Sequence, residues 1–373
     1  MSDPSVFHLI TRFLNGGAEA IVKHTVTGLT DYNFTVGHGA SFERDQVELL
    51  EQQGIETYCE PLLRHYNPIT AVPAVFSLAT YIRRQEFDIV HTHSTEAGIV
   101  GRAAAALAGV DAIVHTVHGV PFSDDRNTVL NRFVLACERW AAPRTDRILS
   151  NADIITEAYL ERGIGTVSQY ETVYSGIRID DFTDVTPASL PGERPRILMV
   201  SRLVEGKGFD VLLDAVSSLD TTASVCIAGD GPLEASLKED IQRRGLDGSV
   251  HLLGYRSDIP NVMAASDVLV LPSFREGTPR VITEAMASGL PVVATDIAGI
   301  PEQVTAGECG FLVPTGDPVA VAARLNELLA NADRREQMGQ AAKDRVTQFS
   351  LENMLSDIDS VYRTLLSERE PPV

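Results

Sequence analysis

Asp267-Val268-Leu269-Val270-Leu271-Pro272 runs into a turn, Arg275-Glu276-Gly277-Thr278-Pro279, and then into Arg280-Val281-Ile282-Thr283-Glu284-Ala285-Met286. The bounded apolar run reads as a buried strand. Thr278 and Pro279 form a favourable N-cap and first-turn pair for a helix. Ile282, Ala285, Met286 and Gly289 recur at helical spacing and predict a face packed on a sheet. Strand, tight turn and helix start leave backbone N–H groups and the positive end of a dipole for an anion. Glu276 falls on the turn, and Glu284 roughly one and a half turns into the helix. Ionised carboxylates only accept hydrogen bonds, so two of them beside a phosphate pocket suit the hydroxyls of a nucleotide-sugar. A loop charge and a solvated helix residue are the plainer account of the same pair.

The alternation repeats outward in both directions. Strand patterns occupy residues 6–10, 34–39, 55–58, 88–92, 112–117 and 147–150, with helical patterns such as 18–29, 44–53, 73–84 and 128–141 between them. A polar, proline-rich segment follows, from Asp180 to Pro195, and the pattern restarts. Strands then fall at 196–200, 223–228, 250–253, 268–271, 291–294 and 310–313, with helices at 209–219, 233–243, 318–330, 334–348 and 351–367. This is the α/β class, two doubly wound Rossmann-like parallel sheets that bind ligands at their strand ends. The domains are read as 1–183 and 195–350.

Length agrees with two domains, since 373 residues are available and 44% are hydrophobic. The net charge of −20 argues against nucleic acid as a partner. Only Lys23, Lys207, Lys238 and Lys343 are lysines, an acidic and lysine-poor balance that suits a halophilic protein. An ordinary acidic enzyme is the alternative. Met1-Ser2-Asp3-Pro4 leads into a strand-like run with no signal peptide pattern. The most apolar stretch, Ala97 to Val117, is interrupted by Arg102, Asp111 and His115, so no membrane span is expected. Cys59, Cys137, Cys226 and Cys309 have no paired spacing and read as buried thiols of a cytoplasmic protein.

Further motifs sit at strand ends. Ser201-Arg202-Leu203-Val204-Glu205-Gly206-Lys207-Gly208 puts two cations on one loop, where they would stabilise a departing diphosphate. Gly229-Asp230-Gly231-Pro232-Leu233-Glu234 is a broken dinucleotide fingerprint, with Glu234 in place of a third glycine. Gly16 and Gly17 open the first helix, where a phosphate cradle and a simple turn are both open readings. His91 and His93 share one strand face, a spacing that suits a metal pair but lacks a carboxylate or thiolate partner. A structural role for them and for His115 is the stronger reading. His118-Gly119 ends its strand, where such sheets bind ligands. Asp357-Ile358-Asp359 falls within the last helix and reads as solvated surface rather than a metal-binding Asp-x-Asp.

The Glu276-Gly277…Glu284 spacing, the Arg202 and Lys207 loop, the Gly-Asp-Gly-Pro turn, the Gly16-Gly17-Ala18-Glu19 loop and His118-Gly119 resemble retaining glycosyltransferases of family 4. The motifs run in the family's order from Gly16 to about Gly316 and depart from it at Tyr174-Ser175-Gly176, where an Asn-Gly pair is usual. The resemblance implies a GT-B fold, two domains facing a central cleft, with the last helix (351–367) returning to the N-terminal, acceptor-binding domain. It implies a hexosyl transfer from a UDP-sugar, ahead of GDP-mannose, to a saccharide or lipid-linked acceptor in polysaccharide biosynthesis, with no metal cofactor. Glu276 would hold sugar hydroxyls, Glu284 the ribose diol, and Arg202 and Lys207 the diphosphate. The backbone of Gly277, Thr278, Pro279 and Arg280 would meet phosphates and sugar, and Tyr255 and Arg256 the base. Gly16 and Gly17 would face the donor, and His118 would contact the transferred sugar. A nucleotide-sugar 2-epimerase, a phosphorylase, a NAD-dependent oxidoreductase and a non-catalytic sensor are the rivals. Lys343, in an amphipathic helix, does not suit a phosphorylase cofactor, and the broken fingerprint weakens the oxidoreductase. Ile69, Val72, Val75, Phe76, Ala79 and Ile82 form an apolar stripe beside Arg83 and Arg84. Core packing explains it; the resemblance raises a peripheral helix at the inner membrane face near a lipid-linked acceptor.

Overall fold

The computed structural model describes residues 3–14, 16–64, 68–122 and 128–368. Met1 and Ser2, read above as leading into the first strand, lie outside the described residues. The chain divides into two compact units, one running to Gly176 and resuming at Leu351, the other spanning Ile177–Ser350.

Among its described residues the first unit holds seven parallel strands: β1 (Ser5–Phe13), β2 (Asn33–Phe42), β3 (Glu56–Cys59), β4 (Ile89–His93), β5 (Ala112–Val117), β6 (Arg147–Ser150) and β7 (Tyr170–Thr172). Their order is β3-β2-β1-β4-β5-β6-β7, so chain direction across the sheet reverses between β1 and β4. Alternate residues of β1 feed different cores. Val6 and Ile10 pack with Ile21, Val22, Met354 and Ile358; Phe7 and Leu9 pack with Leu78, Ile82 and Val100. A strand buried on both faces is expected to be apolar throughout, and from Val6 onward β1 keeps to this except at His8 and toward its end at Thr11 and Arg12. His8 lies between Val6 and Ile10 and is wholly buried.

The last helix, Leu351–Ser367, belongs to this unit and buries Leu351, Met354, Ile358, Val361, Tyr362 and Leu365. Asp359 is not merely solvated: Tyr32 donates its hydroxyl to Asp359 Oδ1 at 2.7 Å. Helix Pro68–Gln85 starts five residues before the expected Pro73, and its stripe is split. Ala79 and Ile82 are buried, while Ile69, Val72 and Phe76 are 84, 62 and 60% exposed. Arg102 interrupts the most apolar stretch of the sequence. It is fully buried, donating from Nη2 to Glu138 at 2.6 Å and from Nε to Gly98 O at 2.8 Å.

The second unit holds six parallel strands: β8 (Arg196–Val200), β9 (Ser224–Ala228), β10 (Val250–Gly254), β11 (Val268–Leu271), β12 (Val292–Thr295) and β13 (Gly310–Val313). Their order, β10-β9-β8-β11-β12-β13, reverses between β8 and β11. The proline-rich segment is anchored to this unit: Ala188 N donates to Asn261 O, and Asn261 Nδ2 to Thr186 O, both at 2.8 Å. Cys226 and Cys309 are buried free thiols, whereas Cys59 is exposed and Cys137 half-buried. No helix among the described residues is long and apolar enough to cross a membrane.

Candidate active site

The opening stretch folds as β11, a turn, and the helix Arg280–Ala287. Its turn is held from both sides, Phe274 N donating to Gly206 O at 2.8 Å and Gly299 N to Gly277 O at 3.0 Å. Thr295 adds a hydroxyl bond to Ser273 O at 2.7 Å. Two glycines permit the close approach of neighbouring loops. Gly208, at φ 75°, would place a Cβ 2.0 Å from Pro272 O, and Gly229, at φ 142°, would place one 1.9 Å from Ser201 O. No L side chain fits either place, so the Arg202 loop is clamped between the ends of β9 and β11.

That clamping brings three of the four expected charges together. Arg202, Lys207 and Glu276 line one hollow of about 310 Å³ with Ser201, Pro279 and Val281. It opens at the carboxyl ends of β8 and β11, where the strand order reverses and such sheets bind ligands. Lys207 Nζ donates to Glu276 Oε1 at 2.8 Å, and both side chains are largely buried. Glu284 lies outside the lining, a turn along the helix, with Oε1 3.9 Å from Arg280 Nη2. Burial pushes its carboxyl up, and the Arg280 guanidinium pulls it partly back. Gly277 and Thr278 stay on the turn, beside the hollow rather than in its lining. Tyr255 is 63% exposed. Arg256 is tied to Asp258 by a bidentate pair at 2.7 and 2.6 Å, which engages its guanidinium within its own loop.

The remaining expected residues are in the first unit. Gly16 caps the helix Gly17–Gly28, and a Cβ there would lie 2.5 Å from Glu19 Oε2. Glu19 lines a cavity of about 260 Å³ with Thr11, Arg12, Ser94, Glu96, Thr116 and His118. Ser94 is held at φ 62°, ψ 162°, a costly conformation for a residue with a Cβ and one that clusters at functional sites. Burial holds His118 down to about 4, so its ring is neutral near pH 7. The sequence reading missed His8, Ser94 and Tyr362 here. His8 and Tyr362 hydrogen-bond across 354 positions, a pairing no local pattern reveals.

The chain is similar to known glycosyltransferases in sequence and in fold. Residues 15–181 match Glycosyltransferase Family 4, and residues 182–345 match Glycosyl transferases group 1. The chain is 34% identical over 278 residues to the Escherichia coli UDP-Gal:alpha-D-GlcNAc-diphosphoundecaprenol alpha-1,3-galactosyltransferase, covering 69% of this chain and 70% of that protein. It is 29% identical over 306 residues to D-inositol 3-phosphate glycosyltransferase of Corynebacterium diphtheriae, covering 74 and 70%. Among solved structures, HepE of Anabaena in complex with UDP superposes with a TM-score of 0.84 at 24% identity, covering 96% of this chain and 100% of that one. A glycosyltransferase of Rickettsia africae gives 0.85 at 21% identity, covering the whole of both chains. The fold is that of GT-B enzymes. The chain belongs to glycosyltransferase family 4 and is a glycosyltransferase.

Proposed function

We propose that this enzyme transfers a hexosyl unit, with retention, from a UDP-sugar to a lipid-linked saccharide. The observation that carries the reading is the convergence of Arg202, Lys207 and Glu276 in one hollow at a strand-order reversal. Two fixed cations there would stabilise the diphosphate as it departs, the service a divalent metal gives elsewhere. Glu276 would grip sugar hydroxyls and Glu284 the ribose diol. The peptide N–H groups at the start of helix Arg280–Ala287 would meet the phosphates. His118, neutral by burial, would contact the transferred sugar. On the retained face, the leaving phosphate oxygen takes the acceptor hydroxyl proton as the new glycosidic bond forms, so no covalent nucleophile is required. The named substrates of the E. coli relative support both a uridine donor and a diphospholipid acceptor.

The acceptor side has a second support. Ile69, Val72 and Phe76 of helix Pro68–Gln85, with Val129, Leu130 and Phe133 of helix Thr128–Ala141, are exposed apolar side chains. Val72, Leu130 and Phe133 also line an apolar cavity of about 220 Å³. Exposed apolar patches of this kind mark binding surfaces, and a polyprenyl chain or bilayer face suits this one. Incubation with a panel of nucleotide-sugars and a diphospholipid-linked saccharide tests the whole reading. UDP release from one donor, dependent on acceptor, insensitive to EDTA and abolished by Glu276→Ala, is the expected result. Undiminished release by Glu276→Ala would refute the assignment.

A further inference from the structure

Four histidines of the first unit, His8, His91, His93 and His118, form one continuous hydrogen-bonded chain with Thr116 and Tyr362. Thr116 Oγ1 lies 2.6 Å from His91 Nε2, and His91 Nδ1 lies 2.6 Å from the Tyr362 hydroxyl. That hydroxyl is 3.1 Å from His8 Nε2, and His8 Nδ1 is 2.9 Å from His93 Nε2. His93 Nδ1 then lies 3.1 Å from His118 Nε2. His118 Nδ1 is shielded from solvent and has no hydrogen-bond partner among the described residues. Thr116 and His118, the two ends, line the same cavity, while the middle passes through the core.

A neutral imidazole has one donor and one acceptor nitrogen. If Thr116 donates to His91, then His91 must donate to Tyr362, Tyr362 to His8, His8 to His93 and His93 to His118. His118 then carries its proton on Nδ1. If Thr116 accepts, every bond reverses and the proton sits on Nε2. A mixed chain sets two donors or two acceptors face to face at some link, or makes Tyr362 accept from both neighbours with its own hydroxyl proton unpaired, and either way leaves a buried polar group unsatisfied. Burial lowers the proton affinity of His8, His91, His93 and His118 alike, which keeps all four rings neutral. His8, His91 and His93 also bring nitrogens within 4.8 Å of one another, the outline of a metal site. Two nitrogens on one tetrahedral zinc stand about 3.3 Å apart, wider than a direct hydrogen bond. The 2.9 Å between His8 and His93 is that of a hydrogen bond.

We propose that this chain, running as a whole in one of those two directions, holds His118 in a single tautomer, with Thr116 and Tyr362 as its positioning residues, and so fixes the hydrogen-bonding sense of His118 at the cavity it lines. The link to turnover rests on the role given to His118 above; the tautomer does not. The test is ¹⁵N NMR of histidine-labelled full-length protein, with His118 assigned by loss of its signals in His118→Gln. Tyr362→Phe removes the middle hydroxyl, Thr116→Val the terminal one, and Thr116→Ser restores the latter. The wild type should show one protonated and one bare nitrogen at His118. Both ablating variants should average the two shifts and lower kcat about tenfold to a hundredfold with KM within about twofold, as for a misoriented group. Thr116→Ser should recover both. If Tyr362→Phe does not fold by thermal melting, Thr116→Val alone decides. An unchanged His118 tautomer in the ablating variants overturns the proposal, as does one zinc per chain lost in His8→Asn. Altered tautomer with unaltered kcat upholds the chain and overturns the role of His118 in transfer.

Discussion

Lys207 donates to Glu276 across 2.8 Å, joining two loops whose residues lie 69 positions apart. The pair sets a cation and a carboxylate at one hollow before any ligand is considered, and a diphosphate would compete for the lysine. Lys207→Ala and Arg202→Ala should each reduce kcat about a hundredfold to a thousandfold, as loss of a preorganised charge does. Steady-state UDP release measures this. Lys207→Ala should also lower the melting temperature, because it leaves the mostly buried Glu276 carboxylate without this partner.

Glu284→Gln separates stability from binding. In the folded protein its carboxyl is shifted up, so ionising it opposes folding. Below the ordinary carboxylate range both forms are uncharged and the variant should match the wild type. Above the raised value the wild type carries a buried charge, and Glu284→Gln should melt higher at pH 7. Its donor affinity should fall about tenfold to a hundredfold, the loss of a charged hydrogen bond, read by calorimetric titration with the UDP-sugar.

Acid should destabilise the first unit well above the carboxylate range. His8 is held down to about 3 and His118 to about 4 by burial, so the unfolded chain binds protons that the native one refuses. Stability is complete above the usual histidine value near 6.5 and falls as pH drops from there toward 4. Each such histidine contributes a slope of about 1.4 kcal/mol per pH unit. Urea denaturation across that window should show the slope, and His8→Gln should reduce it.

Glu138→Ala should cost about 3–5 kcal/mol, because it leaves the Arg102 guanidinium buried without its counter-charge. Both partners are at most 1% exposed. Chemical denaturation would measure the loss, and Arg102→Met with Glu138→Leu should recover much of it.

Changing Ile69, Val72 and Phe76 together to serine should weaken sedimentation with anionic vesicles while leaving the melting temperature within about 2 °C, since exposed positions contribute little to folding. Arg83 is a poorer probe, as its Nη2 bonds Leu107 O at 2.5 Å and supports the end of a neighbouring helix.

Much of this architecture was legible because strand and helix periods alternate cleanly, and β8–β13 fall where the apolar runs do. Edge strand β7, Tyr170-Glu171-Thr172, was not, since three residues with a central glutamate carry no alternation to detect. Periodicity places Ile69, Val72 and Phe76 on one helix but does not say whether a neighbour covers them. Arg256 looks available in sequence, and only the fold of its loop shows Asp258 engaging both guanidinium arms. His91 and His93 were visible as a same-face pair, yet their partners His8, Thr116 and Tyr362 come from other strands and from the far end of the chain.

Of the residues in the hydrogen-bonded chain, Tyr362 is synthesised last. The histidine-bearing face of β1 and β4 is covered by a helix made only after all of Ile177–Ser350 has been synthesised. A nascent chain therefore exposes that sheet face throughout translation of an entire second unit. A frameshift anywhere between Ile177 and Leu351 would strand the first unit half-built, however well its own 176 leading residues are encoded.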